Sequence, residues 1–369
     1  MPPRLPPFDF DRAPFLVIWE VTRACALACV HCRADSIPRR DPRELTTKEG
    51  FRLIDQVCAF GEVPPLFVLT GGDPMRRPDL AELVRYAAEK QMIVALTPSG
   101  TAAATRNRLV ELKEAGLSRI AVSLDGPDAE THDAFRGVRG SYRWTMKIID
   151  TAMELGLPLQ INTTMSRITL PSIEAMARRV RELPIALWAV FFLVRTGRGA
   201  SLEQVSAEDC EDVLNYLYNL SLTAPFGIKT TEAPQYHRVI WQREHGSAPR
   251  DVLLEPARAA RLRSPRSVND GNGFLFVDHL GDVCPSGFLP MARGNVRTDD
   301  LVSIYRDDQI FRRLRDASAL MGKCGRCEFR EICGGSRGRA YAATGSLVAS
   351  DPLCVYDPGP ETRPAVPVA

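Results

Sequence analysis

The chain has 369 residues, a quarter of them charged, and a formal net charge of +2. This length suffices for a large core and for more than one domain, whereas a charge so near neutral predicts neither a nucleic-acid partner nor an anionic-membrane partner. The sequence contains no run of about eighteen uninterrupted apolar residues, so it predicts no transmembrane helix.

The N-terminus and the cysteine content predict a cytoplasmic protein. The stretch Met1 to Pro7 lacks the apolar segment of a signal peptide. Ten cysteines without an export signal indicate metal binding in a reducing compartment rather than disulfides. Cys58 and Cys210 are exceptions, because both lie in helical patterns and are predicted to be small buried hydrophobic residues.

Three cysteines directly follow the first predicted strand, the apolar run Phe15 to Val21. Cys25, Cys29 and Cys32 have the spacing C-x3-C-x2-C, which places three thiolates on one tight loop. Three thiolates can bind three irons of a [4Fe–4S] cluster and leave the fourth iron open. A zinc knuckle is the alternative, but it needs a fourth ligand, and His31 lies between two of the cysteines, where it is poorly placed to bind.

Strands and helices then alternate as far as Leu193. The later strands are also continuous apolar runs, which is typical of a parallel sheet covered by helices. They are predicted at 65–70, 92–97, 120–126, 158–164 and 186–193, with helices at 47–60, 78–90, 105–115, 142–155 and 170–183. Six strands fall short of a closed eight-stranded barrel, and the chemistry of such folds lies at the carboxyl ends of the strands.

Polar residues end several of these strands and are candidate site residues. Gly71-Gly72-Asp73-Pro74 follows the second strand directly, and paired glycines let backbone groups approach a ligand that a Cβ would exclude. The candidates at strands three to five are Thr97, Ser99, Ser123, Asp125, Asn162 and Thr164. Each could instead cap a helix or form a turn.

The pattern changes after Leu193. A helix is predicted from Ala207 to Leu222, and the arginine-rich stretch 250–266 is either a crossover between domains or an ordered substrate contact. Two short strands around a turn follow within 273–283. Four cysteines come last, namely Cys324, Cys327, Cys333 and Cys354. On their own, four cysteines fit a zinc ion and an iron–sulfur cluster about equally well.

These motifs resemble the radical SAM superfamily with a C-terminal SPASM or twitch-like domain. The family signature is the C-x3-C-x2-C loop with a ring before the last cysteine, a place that His31 takes here. The resemblance implies an α/β fold, a partial (β/α)6 barrel with a small C-terminal iron–sulfur domain. It implies a [4Fe–4S] cluster on Cys25, Cys29 and Cys32 that binds S-adenosylmethionine (SAM). The implied contacts to SAM are Gly71, Gly72, Asp73, Ser99, Ser123, Asp125 and Asn162.

The resemblance also assigns the C-terminal cysteines to one auxiliary [4Fe–4S] cluster. Full SPASM domains carry seven cysteines and two auxiliary clusters, but Ser286 and Ser336 stand at two of those places here. Serine is a weak ligand in place of thiolate, so a second auxiliary cluster is not expected. Cys284 is then a packed thiol or a substrate-facing one. Asp73 departs from the family as well, since relatives have glutamate there.

The implied division of the chain is a tail at 1–14, a core barrel at 15–235, a linker or lid at 236–268, a SPASM-like domain at 269–356 and a tail at 357–369. His132, Arg136 and Arg139 belong to a stretch that recurs after the fourth strand in relatives. They serve either in packing or in substrate contact.

The implied activity is reductive cleavage of SAM to a 5′-deoxyadenosyl radical, which abstracts hydrogen from a substrate, with a flavodoxin or ferredoxin as electron donor. His31, the run Cys333 to Tyr341 and the run Pro285 to Pro290 resemble the haem and haem d1 branch, so oxidative decarboxylation or removal of a tetrapyrrole side chain is predicted. Maturation of a ribosomal peptide is the alternative, weakened because no leader-binding segment precedes Phe15. The non-enzyme alternative is an iron–sulfur electron carrier. It is disfavoured because such a carrier would need neither the glycine pair after the second strand nor the polar residues that end the other strands.

Overall fold

The computed structural model describes residues 9–246 and 268–359. In these ranges nine strands form one sheet. The strands are β1 Leu16–Glu20, β2 Leu66–Thr70, β3 Val94–Leu96, β4 Arg119–Ser123, β5 Leu159–Met165, β6 Leu187–Phe192, β7 Gly227–Thr231, β8 Phe274–Val277 and β9 Val283–Cys284. Their order in the sheet is β7-β6-β5-β4-β3-β2-β1-β8-β9, and all neighbours are parallel except β8 and β9. The arginine-rich stretch 250–266 lies outside the described residues.

Twelve α-helices lie in the same ranges and pack on the sheet or join its strands. They are α1 Thr47–Cys58, α2 Leu80–Glu89, α3 Arg106–Glu114, α4 Ala129–Arg136, α5 Ser141–Glu154, α6 Ile173–Arg181, α7 Ala207–Ser221, α8 Gln235–His245, α9 Leu301–Asp307, α10 Gln309–Arg315, α11 Gly322–Arg326 and α12 Arg337–Thr344. Helix α1 shows why the local sequence forms a helix at its predicted place. Thr46 and Glu49 form a capping box at its start, and Leu53, Ile54 and Val57 face the core.

All six predicted core strands are present, and the two short strands predicted within 273–283 are β8 and β9. Strand β7 was not predicted and extends the parallel sheet beyond β6. The sequence Gly-Ile-Lys-Thr-Thr of β7 gives no apolar run because this strand lies at the edge of the sheet and is largely solvent-accessible. Strand β8 was predicted as part of a separate domain, yet it pairs with β1 through Leu16 and Phe274.

The sheet curves although its order is open. The loop after β6 contacts the cysteine loop after β1, and these two strands are five positions apart in the sheet. Arg198 donates from its backbone N–H to the Cys32 carbonyl and from Nε to the Cys29 carbonyl, both at 3.0 Å. Gly197 has a φ of +55°, and a Cβ there would lie 2.3 Å from the Arg33 carbonyl. The carboxyl ends of the strands therefore converge around the cysteine loop.

Residues after 268 complete this arrangement. Strand β8 covers the outer edge of β1, and α12 packs at the carboxyl ends of β6 and β7, where Arg339 donates to the Phe192 and Glu232 carbonyls at 3.5 and 2.5 Å. The division into domains at residue 269 stays a prediction, and one sheet crosses that boundary.

Candidate iron–sulfur and cofactor site

The three cysteines of the first motif lie on a closed loop at the carboxyl end of β1. Cys25 and Cys29 are each 7% exposed and Cys32 is half-buried. The loop is closed at its base, where the Cys25 N–H donates to the Ile37 carbonyl at 2.8 Å. Burial raises the pKa of the Cys25 thiol, so an unliganded thiolate is unfavourable there. Iron bound to these sulfurs would stabilise the thiolate form, and the donor set fits three irons of a cluster.

The glycine pair after β2 supports this loop directly. A Cβ on Gly71 would lie 2.2 Å from the Thr22 carbonyl, and one on Gly72 would lie 2.5 Å from the Arg23 carbonyl. The Gly72 N–H also donates to Thr22 at 2.8 Å. The glycines are therefore needed for close packing against the cysteine loop, and their predicted contact with SAM stays a prediction.

Asp73 and Ser99 connect the ends of β2 and β3. Asp73 is fully buried, accepts from the Thr101 hydroxyl at 2.7 Å, and has a pKa raised by burial. Ser99 donates to the Gly72 carbonyl at 2.5 Å, and its Oγ lies 3.6 Å from Cys25 Sγ. Ser99 thus adjoins the cysteine site, whereas the Asp73 carboxylate is turned into the protein. The predicted SAM contacts of both residues remain untested.

A buried ion pair lies beside Cys29. Asp125 is 1% exposed, and it accepts from Arg136 Nε at 2.7 Å and from the Thr164 N–H at 2.6 Å. Burial alone would raise the pKa of Asp125, but the charge of Arg136 holds it below its usual value. Arg136 also reaches Cys29, with 3.7 Å from Nη1 to Sγ. Of the two roles left open for Arg136, the structure therefore favours support of the cysteine loop.

Two histidines adjoin the same ion pair. His31 stacks on Phe135 at a centroid distance of 4.3 Å, and His132 accepts from the Asp125 N–H at 3.2 Å. Burial, and next the Arg136 charge, lower both histidine pKa values to about 4, so both rings are neutral near pH 7. Arg139 is exposed and takes no part in this group.

Ser123 and Asn162 are direct neighbours in the sheet, since β4 and β5 pair at this position. Both are half-buried, and the Asn162 amide oxygen accepts from Gln160 at 2.6 Å. The sheet therefore brings these two predicted SAM contacts together, and their role stays a prediction. Thr97 continues the pairing of β3 by donating from its backbone to the Leu69 carbonyl at 2.9 Å.

Sequence reasoning missed a second charged group beside the cysteines. Arg33 follows Cys32, pairs with the buried Glu20 at 3.0 Å and lies 4.7 Å from the Phe276 ring centre. His279 contacts Glu20 at 3.3 Å from the other side. Burial opposes ionisation of Glu20, but Arg33 and His279 lower its pKa overall. A glutamate that ends an apolar strand was the available signal.

The four C-terminal cysteines line one cavity of about 400 Å³, its open mouth included. Burial raises the pKa of the Cys327 thiol to about 12 and those of Cys333 and Cys354 above their usual values. A small apolar cluster of Trp241, Phe329 and Ile332 packs against Cys327 and Cys333. The cavity is thus a four-thiol site with an apolar wall and an open mouth.

The residues that line this cavity indicate whether a single metal ion or an iron–sulfur cluster fits it better. Across residues 9–246 and 268–359, no three His, Cys, Asp or Glu side chains form a group that could hold a single metal ion. Arg238 Nε and Arg330 Nε are buried without hydrogen-bond partners, and both residues line the cavity. Four thiols that form no single-ion site, together with N–H donors that lack acceptors, fit a cluster with inorganic sulfides.

The two serines at expected cysteine positions are held by carboxylates. The Ser286 hydroxyl donates to Asp270 and the Ser336 hydroxyl donates to Glu232, which follows β7. Burial raises the pKa of both carboxyl groups, that of Glu232 to about 8. Cys284, 5% exposed with its pKa raised by burial to about 12, is a packed thiol in this structure.

A curved parallel sheet with three cysteines after its first strand, packed on a glycine pair, defines a protein of the radical SAM class. A family model described as the radical SAM superfamily matches residues 19–180, and the chain belongs to this superfamily. Membership implies a [4Fe–4S] cluster and SAM as cofactors.

Two relatives are similar along nearly their whole length, and each bears the name AdoMet-dependent heme synthase. The protein of Oleidesulfovibrio alaskensis is 40% identical over 95% of this chain and 89% of its own, and that of Methanosarcina barkeri is 38% identical over 94% and 98%. Streptococcus suis SuiB, solved with S-adenosylmethionine, is similar in fold, with a TM-score of 0.73 and 16% identity over 94% of this chain and 78% of that one. Helices of the described segments are too short or too polar to cross a membrane.

Proposed function

We propose that this protein is a radical SAM enzyme that oxidatively decarboxylates or removes a side chain of a tetrapyrrole. The whole-length similarity to relatives named heme synthases, at 38–40% identity, is the observation that carries this proposal. The bound cluster and SAM supply a 5′-deoxyadenosyl radical in such enzymes. The protein binds both and shields the reacting atoms from water.

The contacts described above give the surrounding residues their proposed roles. Cys25, Cys29 and Cys32 hold the reactive cluster, and Arg136 with Asp125 fixes the position of Cys29. Ser99, Ser123 and Asn162 are half-buried at the carboxyl ends of neighbouring strands, where SAM would lie against the open iron. Gly71 and Gly72 place the cysteine loop above this edge.

The second cavity supports the proposal of one auxiliary [4Fe–4S] cluster on Cys324, Cys327, Cys333 and Cys354. Among the described residues its four thiols do not form a group that could hold a single metal ion, and the Nε–H groups of Arg238 and Arg330, which lack acceptors, line it. A second auxiliary cluster is not proposed, because Ser286 and Ser336 are already bonded to carboxylates. An external flavodoxin or ferredoxin would supply electrons, and ten cysteines without a disulfide among them suit the cytoplasm.

Anaerobic reconstitution with iron and sulfide tests the proposal that the chain holds two [4Fe–4S] clusters. Two [4Fe–4S] clusters require about eight irons per chain. Cys25→Ala and Cys327→Ala should each lose one cluster and retain the other, and the matched control Cys58→Ala should lose none. Retention of a single cluster in all variants, or zinc at the second site, would show that this assignment is wrong.

Substrate is tested separately by incubating the reduced enzyme and SAM with an iron porphyrin bearing propionate side chains, and in parallel with a ribosomal peptide. We expect loss of carbon dioxide and hydrogen from the porphyrin, together with 5′-deoxyadenosine, and no change in the peptide. Modification of the peptide alone would replace the tetrapyrrole proposal with peptide maturation. If SAM is cleaved but neither the porphyrin nor the peptide changes, both of the substrates tested are excluded.

A further inference from the structure

Four polar side chains form two hydrogen-bonded pairs that adjoin each other. Ser336 donates to Glu232, and Ser286 donates to Asp270. The charge of Asp270 acts on Glu232, so the two pairs face each other. Asp270, Ser286 and Ser336 are at most 2% exposed, and Glu232 is half-buried. Together these four residues make up the serine–carboxyl group.

The serine–carboxyl group lies between the two cysteine sites. On one side, Arg33 of the three-cysteine loop donates to the carbonyl of Gly287, one residue after the first serine, at 3.5 Å. On the other side, a Cβ on Gly335, one residue before the second serine, would lie 3.3 Å from Cys324 Sγ. A substrate held at the three-cysteine loop would therefore adjoin this group.

Glu232 has a backbone conformation that glutamate rarely adopts. The residue directly follows β7, at the carboxyl edge of the sheet, and its φ of +59° lies in the left-handed region, where a Cβ is unfavourable. Asp35 and Gln91 are the other non-glycine residues with a positive φ in the described ranges, and both are exposed. Strain at a half-buried position is typical of a residue whose side chain is needed there.

The acids of this region differ in how fully their oxygens are bonded. Both oxygens of Asp270 accept hydrogen bonds from the protein, and so do both oxygens of Asp351. Glu232 accepts from Ser336 at Oε2, whereas its Oε1 has no hydrogen-bond partner in residues 9–246 and 268–359. Of these six oxygens in the described part of the chain, only Oε1 of Glu232 is left for a ligand.

Oε1 carries a proton at neutral pH. Burial, and next the charge of Asp270, raises the pKa of Glu232 to about 8. Ser336 and Arg339 lower this pKa and Asp351 raises it, each to a smaller extent. The single hydrogen of the Ser336 hydroxyl goes to Oε2, so the acid hydrogen of Glu232 lies on Oε1. Glu232 thus presents a neutral O–H donor to a ligand.

We propose that Glu232 donates a hydrogen bond from Oε1 to a substrate carboxylate and so holds a propionate side chain of the tetrapyrrole at this edge of the sheet. This inference rests on the proposed function, because that substrate bears the carboxylates. A hydrogen bond from a neutral acid to a carboxylate is charge-assisted, and it avoids the repulsion that an ionised glutamate would cause. Glu232 is then a binding residue whose contribution disappears when it loses its proton.

The test measures binding without turnover. The reconstituted full-length enzyme with SAM, left unreduced, is titrated with an iron porphyrin bearing propionate side chains, and the change in porphyrin absorbance gives the Kd. We expect Glu232→Ala to raise the Kd about tenfold at pH 7, because one charge-assisted hydrogen bond is lost. The exposed Glu89 gives the matched control Glu89→Gln, which should bind as wild type does.

Glu232→Gln separates hydrogen bonding from ionisation, because its amide N–H replaces the O–H donor and does not ionise. We expect this variant to bind within about twofold of wild type at pH 7. Between pH 7 and pH 9 the Kd of wild type should rise about tenfold relative to that of Glu232→Gln, because only wild type loses the donor as pH passes about 8.

The inference is overturned if Glu232→Ala binds as tightly as the Glu89→Gln control. It is also overturned if the ratio of the Kd values of wild type and Glu232→Gln is the same at pH 7 and pH 9. If Glu232→Ala unfolds or loses its iron, that ratio decides alone. A wild-type enzyme that binds no porphyrin at either pH would refute the tetrapyrrole substrate, and this inference with it.

Discussion

Single residues around the cysteine loop show which features of the site could be predicted from polar residues at the ends of strands. The polar residues after β2, β3, β4 and β5 do gather at one edge of the sheet, as parallel strands require. Yet Asp73 and Asp125 are buried and bonded to protein groups, which no pattern could show because their partners Thr101 and Arg136 are set by tertiary packing.

Gly72 should be indispensable to the reactive cluster. In Gly72→Ala the new Cβ meets the Arg23 and Ala24 carbonyls at 2.5 and 2.6 Å, so the cysteine loop must shift. We expect loss of the reactive cluster with the auxiliary cluster retained, and a destabilisation of about 1–3 kcal/mol. Iron analysis and urea unfolding measure the two effects. Gly61→Ala, with open space around the new Cβ, is the control, and equal iron contents in the two variants would contradict the prediction.

The Asp125–Arg136 pair should matter to stability. Asp125→Asn leaves the Arg136 guanidinium buried without a counter-charge, which costs about 3–5 kcal/mol. The exposed pair of Arg106 and Glu154 gives the comparison, since Glu154→Gln should cost less than about 1 kcal/mol. Both values come from chemical denaturation of the apoprotein. A cost for Asp125→Asn no larger than that for Glu154→Gln would rule out a structural ion pair.

At the scale of elements, the sequence predicted the six strands before β7 and the helices α1, α2, α3, α5 and α6 to within a few residues, but it did not predict α4. The apolar runs and capping residues were sufficient for that, as Thr46 shows at α1. Strand β7 was not predicted because its side chains alternate between half-buried and exposed, with no apolar run. The contact between β7 and α12 was equally hidden, because it depends on the carboxyl and carbonyl groups of Glu232, which lies more than a hundred residues before Ser336 and Arg339.

The contact between β7 and α12 should depend on pH through Glu232. Facing it are the Ser336 hydroxyl and the charges of Asp270, Arg339 and Asp351, and burial raises its pKa to about 8 from 4.5. The folded protein thus holds a proton that the unfolded chain releases, so this contribution to stability is lost as pH rises from about 4.5 through about 8. Glu232→Gln should stabilise the protein relative to wild type increasingly as pH rises.

Urea unfolding at several pH values across that window measures the difference between Glu232→Gln and wild type. Groups that do not face Glu232 cancel in this difference, including the histidines with lowered pKa values. The exposed Glu89, at the end of α2, provides the control variant Glu89→Gln, for which no pH-dependent difference is expected. A constant difference for Glu232→Gln across the window would contradict the assignment.

At the scale of the whole molecule, the core sheet and the C-terminal segment form one structure. Leu301 donates its N–H to Gln56 of α1 at 2.8 Å, and Arg297 pairs with Glu49 at 2.8 Å, in addition to the pairing of β8 with β1. The predicted domain boundary at residue 269 was based on the cysteine motifs. The sequence alone could not show that β1 and β8, on either side of this boundary, pair with each other. Such long-range pairing leaves no local pattern.

Truncation tests whether the core sheet needs the C-terminal segment in order to fold. A chain ending at Gly246 lacks β8 and α9. The outer edge of β1 then has unpaired backbone groups, and α1 loses its contact with Leu301. We expect it to be insoluble or to unfold without a cooperative transition, as followed by circular dichroism and limited proteolysis. A chain ending at Gly359, which keeps every described residue after 268, should behave like the full-length protein. Cooperative unfolding of the shorter chain would show that residues 9–246 fold alone.

The place of β1 between β2 and β8 also sets an order of events during synthesis. β1 is the first strand to leave the ribosome, yet Leu16 pairs with Phe274, which is made 258 residues later. At about 5–20 residues per second its outer edge waits roughly ten to fifty seconds for that partner. The three cysteines at its end therefore lie beside an unpaired strand edge until translation has passed Val277.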